Sequence, residues 1–330
     1  MSILFSHFFT KINQIAPLEH EFTEVLDTIA LKPKTLYFRG KLPENVSKSP
    51  SQEAKLNNIR DTESSIKTRT NLATGRPATV AIVGSRHNTK YGEEVAYRLA
   101  YELARRGIII VSGLAFGIDT IGHRGCLDAG GITVAVLGTP IDRIYPTSHV
   151  SVAKRIIEQG GAVISEYAPG SDVFPKTSFL ERNRLISGLS DVVVVVEAAE
   201  QSGSLNTATH AIEQGKTVFA VPGNITNPYS QGCNKLIQQG AIPYAEPNDI
   251  LRELFPEDYT KHYRRLKKQR LFGDTDVETK ILQAIADGTR SGEQIMQATH
   301  LPPEVFNQSV TLLEIKGRLR SLGMNTWSLT

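Results

Sequence analysis

Between residues 78 and 250 the chain alternates two textures. Short continuous apolar runs, at 80–83, 108–111, 132–137, 162–164, 192–196 and 218–221, are separated by stretches long enough for helices. Within residues 91–106, Val95, Ala96, Leu99, Ala100 and Leu103 fall on one helical face, the period of an amphipathic helix. Gly107, Gly130, Gly160 and Gly215 stand where such helices would end, since glycine tolerates the left-handed residue that closes a helix. A strand buried on both faces shows no alternation of polar and apolar positions. Runs rich in β-branched residues alternating with helices therefore predict an α/β fold, a Rossmann-like doubly wound, mostly parallel sheet of six or more strands over 78–250.

The flanks read differently. Residues 1–34 suggest short amphipathic helical material, and Thr35-Leu-Tyr-Phe-Arg-Gly40 a strand closed by glycine. From about 42 to 77 the chain is polar and rich in Ser, Asn, Lys, Glu and Thr, the composition of a surface insertion or flexible segment. We take 1–77 as an N-terminal segment, 78–250 as the main domain and 251–275 as a basic linker, with Lys261, Arg264, Arg265, Lys267 and Lys268 as its solvated charges. Residues 276–330 form a unit of their own. A helix over 278–286 is followed by a second that Ser291 would open in capping-box fashion. A third begins at Pro302-Pro303 and breaks at Gly317, and residues 318–322 and 326–329 can pair around Gly323-Met-Asn325. Three short helices and a hairpin predict a small C-terminal winged-helix domain.

Composition narrows the picture slightly. The 330 residues are 40% hydrophobic and 22% charged, ordinary for a globular protein. A net charge of +3 neither demands nor excludes nucleic acid, so the positions of the arginines must decide. Cys126 and Cys233 form no CxxC pair, which predicts buried small hydrophobes and no metal centre. No run of about 20 apolar residues predicts a membrane span, and Lys11 follows the apolar N-terminal run where a secretion signal would have it first. The expectation is a cytoplasmic protein without cofactor.

In a parallel sheet the residues just after each strand line the edge where ligands bind. Here these are Gly84-Ser85-Arg86, Ser112-Gly113 with the loop to Asp119, and Ser202-Gly203-Ser204 after Glu197. Small, hydroxyl-bearing turns that enter helices offer backbone N–H groups to an anion. Glycine-rich turns also serve packing, but three on one edge point to a phosphate-bearing ligand. No GxxxxGK[ST] or GxGxxG motif is present. Arg86 at the mouth of the first turn suits a phosphodiester. Phe179 followed by Arg182, Asn183 and Arg184 combines a stacking ring with phosphate clamps, as a single strand requires. The competing readings are a core position for Phe179, and ion pairs with Glu181 or Glu197 for the two arginines. Asp119 and His123, four apart, could form an acid/base pair, but no third group completes a hydrolytic set, and structural roles are expected. Tyr145-Pro146 and Pro222-Gly223 read as turns with little chemistry of their own.

Taken together, these motifs resemble the DprA/Smf family over 79–250. The match runs through Val80-Ala-Ile-Val-Gly-Ser-Arg86, Ser112-Gly-Leu-Ala-Phe-Gly-Ile-Asp119, His123, Val136-Leu-Gly138, Tyr145-Pro146 and Arg182-Asn-Arg-Leu-Ile186. It continues through Ser202-Gly-Ser-Leu205, Val218-Phe-Ala-Val-Pro-Gly223 and Gly232-Cys-Asn-Lys-Leu-Ile237. The tail around Leu313-Glu-Ile-Lys-Gly317 is similar to the family's winged helix, and Tyr37-Phe-Arg-Gly40 to the strand before its core. The resemblance implies a non-enzymatic homodimer that binds single-stranded DNA and loads the RecA recombinase during natural transformation. It places DNA contacts on Ser85, Arg86, Phe179, Arg182, Asn183 and Arg184. The chain departs from the family in having Gly138-Thr-Pro140 for glycine-x-glycine, Leu180 for proline, and Glu181 where a basic residue is common.

Two alternatives compete. A phosphoribohydrolase of related fold would carry PGGxGTxxE, whereas Pro222-Gly223-Asn224 is not followed by that pattern. A duplex-reading winged helix would need basic residues on its third helix. That helix carries Glu304 and Glu314 and no Lys or Arg before Lys316, so packing against protein is expected instead.

Overall fold

The computed structural model describes residues 11–44, 68–71, 74–172, 175–257 and 273–329. The chain divides into two units, Met1–Phe255 and Pro256–Thr330. Residues 45–67 of the polar segment and 258–270 of the basic stretch lie outside the described residues.

The first unit is built on one nine-stranded sheet. Its strands are β1 (Asn13–Ile15), β2 (Leu36–Gly40), β3 (Thr79–Val83), β4 (Ile109–Ser112), β5 (Thr133–Leu137), β6 (Ala162–Ser165), β7 (Val192–Val195), β8 (Thr217–Ala220) and β9 (Ile242–Pro243). They lie in the order β1-β2-β6-β5-β4-β3-β7-β8-β9. From β6 to β9 every pairing is parallel, and β2 joins β6 antiparallel. The chain winds outward from β3 through β4, β5 and β6, then returns to β7 on the other side of β3. That reversal is the topological switch point at which such sheets bind ligands. The predicted doubly wound α/β architecture is the one observed.

Helices α1 (Lys90–Arg105), α2 (Ile118–Asp128), α3 (Val150–Glu158), α4 (Pro175–Gly188), α5 (Gly203–Glu213), α6 (Gln231–Gln238) and α7 (Pro247–Leu254) complete the unit. Alternate strand residues enter different cores. Val80, Ile82 and Ile110 pack with Ala96, Leu99 and Leu103 of α1 and Ile250 of α7. Ala81, Val83, Val193 and Val195 pack with Leu185 and Ile186 of α4, with Leu189 just beyond its end, and with Ala208 of α5. Burial of both strand faces explains why these runs are continuously apolar. Burial also pushes the Cys126 and Cys233 thiols up to about 12, which leaves them as small core groups.

The N-terminal expectation needs correction. Residues 13–15 pair with β2, and the chain continues as two 3-10 turns, Pro17–Glu19 and Glu24–Thr28. Phe22, Leu26 and Ile29 insert into the core beside α4, so sheet and core contacts outweigh a weak helical tendency.

The second unit holds α8 (Asp276–Ala286), α9 (Gly292–Thr299), α10 (Pro303–Ile315) and a hairpin of β10 (Leu319–Gly323) and β11 (Thr326–Leu329). Ile281, Leu282, Ile295, Phe306, Val310 and Leu313 form its own core. Ser291 makes no side-chain cap bond, contrary to the predicted capping box. The start of α9 is fixed instead by Gly292 N–H donating to Asn325 O at 2.9 Å. Among the described residues no helix is long and apolar enough to cross a membrane.

Candidate nucleic-acid interface

The loops after β3, β4, β5 and β7 meet at the carboxyl edge of the sheet, and backbone contacts tie them together. Ser85 N–H donates to Glu197 O at 2.6 Å, and Ile118 N–H donates to Ser85 O at 3.2 Å. Gly117 has φ of 76°, and a Cβ there would lie 2.3 Å from Ser85 O. Only glycine fits both the left-handed backbone and that approach. Ser85 Oγ donates to His87 O at 2.9 Å and accepts His87 N–H at 3.1 Å. This tight turn leaves Arg86 exposed at its tip.

Arg86 reaches the first residues of α4. Its guanidinium carbon lies 5.4 Å from the centre of the half-buried Phe179 ring, within cation–π range. Phe179 is seated by Gly138, where a Cβ would fall 2.5 Å from the ring's Cδ1. Ser178 Oγ donates to Gly138 O at 2.6 Å and fixes the same turn. The Tyr145 ring stands 5.5 Å from the Phe179 ring, tilted by 38°. Arg86, Gly113, Ala115, Phe116, Tyr145, Pro146 and Phe179 line one open hollow. Its rim is aromatic and cationic at once.

Arg182 and Arg184 are occupied within the fold. The Arg182 guanidinium is buried and donates to Gly113 O at 2.7 Å and to Val136 O. Burial lowers its pKa to about 10 against the opposing pull of Asp119, so it stays charged at neutral pH. It lies behind Phe179, 6.0 Å from the ring centre. Arg184 is also buried and grips Glu166 with Nη2, at 2.9 Å and 2.8 Å from the two carboxylate oxygens. Its ion pair is thus with Glu166, neither Glu181 nor Glu197. Asn183 Nδ2 donates to Gly203 O and Asn206 Oδ1, both at 3.2 Å, and clips α4 to α5. Ser112 Oγ is buried and donates to Ile82 O at 2.7 Å.

Two of the three turns predicted to present open amides differ in the same way. The Glu197 carboxylate accepts Thr89 N–H at 2.8 Å and Thr89 Oγ1–H at 2.6 Å at the start of α1. Asp119 accepts Gly113 N–H at 3.1 Å, and burial pushes its carboxyl up. Carboxylates of the chain itself therefore fill two of the three anion positions, as the positive end of a helix favours. At the third, Ser202 Oγ accepts Ser204 N–H at 3.4 Å, while Gly203 stays exposed and Ser204 is buried. Gly84 is half-buried beneath Ile118.

His123 is fully buried. Its Nδ1 donates at 2.7 Å to Thr133 Oγ1, which itself donates to Ile110 O. Burial drives its pKa down to about 3. Asp119 and His123 thus have the structural roles expected of them. Two residues of the hollow escaped the sequence reading as chemistry: Tyr145, treated as turn punctuation, and Phe116. Each is a lone aromatic in a loop, with no period to announce it.

Fold and edge define a doubly wound α/β domain with an arginine–aromatic hollow at its switch side, followed by a small three-helix and hairpin unit. The chain belongs to the DprA/Smf family. A family model described as DNA recombination-mediator protein A matches residues 46–255, and one described as DprA winged helix domain matches residues 267–323. The chain is 49% identical to Protein Smf of Escherichia coli over 176 residues, 53% of this chain and 46% of that protein. It is 44% identical to DNA processing protein DprA of Bacillus subtilis over 183 residues, 56% of this chain and 60% of that protein. It thus spans about half the length of the curated relatives it matches. DNA processing protein A of Streptococcus pneumoniae aligns with a TM-score of 0.58 and 34% identity, over 75% of this chain and 76% of that one. A structure of DNA processing protein A from Helicobacter pylori, described as giving insight into its single-stranded DNA binding mode, aligns with a TM-score of 0.58 and 30% identity. It covers 76% of this chain and 98% of its own.

Proposed function

We propose that this protein binds single-stranded DNA without strong sequence preference and, as a non-enzymatic homodimer, loads a RecA-type recombinase onto it during DNA uptake. The observation that carries the reading is the exposed Arg86 guanidinium standing over Phe179 at the carboxyl edge. A phosphate clamp beside a stacking ring is the pairing that grips an unpaired strand. The description of the family as a DNA recombination mediator supports the recombinase part. The phosphoribohydrolase reading gains nothing, because the Glu197 carboxylate occupies the start of α1 at the β3–β7 reversal, where a nucleotide phosphate would sit.

In this reading Arg86 and Phe179 contact DNA, with Gly84, Ser85 and Gly113 shaping the rim. Arg182, Asn183, Arg184 and Ser112 hold the edge from behind, and Ser202, Gly203 and Ser204 offer a further phosphate contact. Titration of a labelled oligothymidylate at several salt concentrations tests it. Each phosphate contact contributes roughly −0.7 to the slope of log K against log salt, so Arg86→Ala should flatten the slope by about 0.7. Phe179→Ala should weaken binding while leaving the slope unchanged. A flat salt response of the wild type would overturn the proposal. Recombinase loading is read from RecA filament growth on the same strand with and without the protein.

A further inference from the structure

One half-buried cation has no place in the reading above. Lys216 stands on the loop between α5 and β8, at the amino edge of the sheet, away from the hollow. Its Nζ donates to Ser190 O at 2.7 Å and to Gly188 O at 3.3 Å. On the same loop, Gln214 Nε2 donates to Arg184 O at 3.1 Å. Together they cap the end of α4, whose last carbonyls lack partners within the helix. Both acceptors of Lys216 are neutral, whereas Lys32, Lys41, Lys235 and Lys316 each pair with a carboxylate. The charged groups near it are Asp191 and Arg76. Asp191 is occupied by Thr79 N–H, Thr79 Oγ1 and Arg76 Nη2. Arg76 is itself buried, with no acceptor for Nη1, so its charge bears on Lys216. Burial lowers the Lys216 pKa to about 8, Asp191 opposing the fall and Arg76 adding to it. An ammonium has three donors, and a neutral amine still has two N–H groups for the two carbonyls while its lone pair is open. Losing the proton therefore sacrifices no hydrogen bond.

We propose that Lys216 is an acylation site, its Nζ taking the acyl group of a small acyl phosphate. A lysine becomes a nucleophile when it is desolvated or set beside another cation, and both conditions hold here. The neighbouring guanidinium favours a phosphate-bearing donor. The neutral Nζ attacks the acyl carbon and a C–N bond forms. The bond from that carbon to the phosphate oxygen breaks, inorganic phosphate leaves with the electron pair, and Nζ gives up one proton to water. The resulting amide has one N–H and no charge. At most one of the two carbonyls then keeps its donor, and the end of α4 loses a favourably placed cation. Acylation thereby loosens α4 from the end opposite Phe179.

The test incubates the full chain with acetyl phosphate from about pH 6.5 to about pH 9.5 and follows each lysine by peptide mass spectrometry. At about pH 7.5 a group titrating at about 8 is neutral roughly 200 times as often as an ordinary lysine. Lower basicity slows the attack by about tenfold if amines follow the slope known for thiolates. Lys216 should therefore react roughly 20-fold faster than the exposed Lys41 and Lys235. Its rate should level off above about pH 8, while theirs climb to about pH 10. Acetylated protein should melt about 2–4 °C lower, the shift for one buried acceptor left unmet. Lys216→Arg protein should show no such drop on the same treatment. Lys216 reacting no faster than Lys41 and Lys235, or following their pH course, would overturn the proposal. Equal melting shifts in treated wild type and treated Lys216→Arg would overturn its hold on α4.

Discussion

Arg86 and Arg182 are close in space, yet they face opposite physical problems. Arg86 is exposed, so its removal costs the fold little and the ligand much. Arg182 is buried among carbonyls, so Arg182→Met would leave Gly113 O and Val136 O without their donor and Asp119 without a nearby cation. A buried acceptor left unmet costs about 1–3 kcal/mol. Thermal unfolding should therefore fall clearly for Arg182→Met and stay unchanged for Arg86→Ala, although both weaken DNA binding. Melting curves of the two variants side by side check this. His123 makes a second prediction, in pH. Burial holds it neutral with a pKa near 3, whereas in the unfolded chain it takes a proton at about 6.5. Its contribution is therefore present above about pH 6.5 and is lost as pH falls toward 3, by up to about 1.4 kcal/mol per pH unit. His123→Asn should remove one proton from the acid slope of stability, measured by denaturant unfolding from pH 7 to pH 4.

At the scale of elements, α4 is the piece that builds the hollow. Its N-terminal half delivers Phe179 onto Gly138, and its inner face carries Arg182, Leu185 and Ile186 into the core. Gly138→Ala would put a methyl group 2.5 Å from Phe179 Cδ1. The ring would have to move, and single-strand affinity should drop toward that of Phe179→Ala while the far-UV circular dichroism spectrum stays native. The same helix marks how far the sequence could be read. Continuous β-branched runs made the sheet legible, since a strand buried on both faces has no other pattern available. Arg86 was proposed because it follows a strand, and Phe179 because it stands just before Arg182 and Arg184. The burial of Arg182 was also written in the chain. It precedes Leu185 and Ile186 by three and four residues, which is one helical face. The partner of Arg184 was not, because Glu166 lies on another element beyond any local period. The carboxylate of Glu197 escaped for the same reason: a turn's sequence does not reveal which acid folds back over the start of a neighbouring helix.

For the whole molecule, the question is which unit meets DNA. The two units bury separate cores, one around the nine-stranded sheet and one around Phe306, Leu313 and Ile281. The outward residues of α10 are Glu304, Val305, Asn307, Gln308, Thr311, Leu312 and Ile315, none of them basic. A helix entering the major groove passes between two lines of phosphate and needs cations to offset them. This one brings an acid and apolar side chains, which suits a protein surface better. The carboxyl edge of the sheet supplies what α10 lacks, an exposed guanidinium and clustered rings. Removing residues 276–330 should therefore leave oligothymidylate affinity within about twofold of the full chain and keep its salt slope, because slope counts phosphate contacts and none would be lost. Duplex affinity should remain as weak as before the deletion. A loss of single-strand affinity together with a shallower slope would transfer phosphate contacts to the second unit and contradict the assignment of α10 to protein.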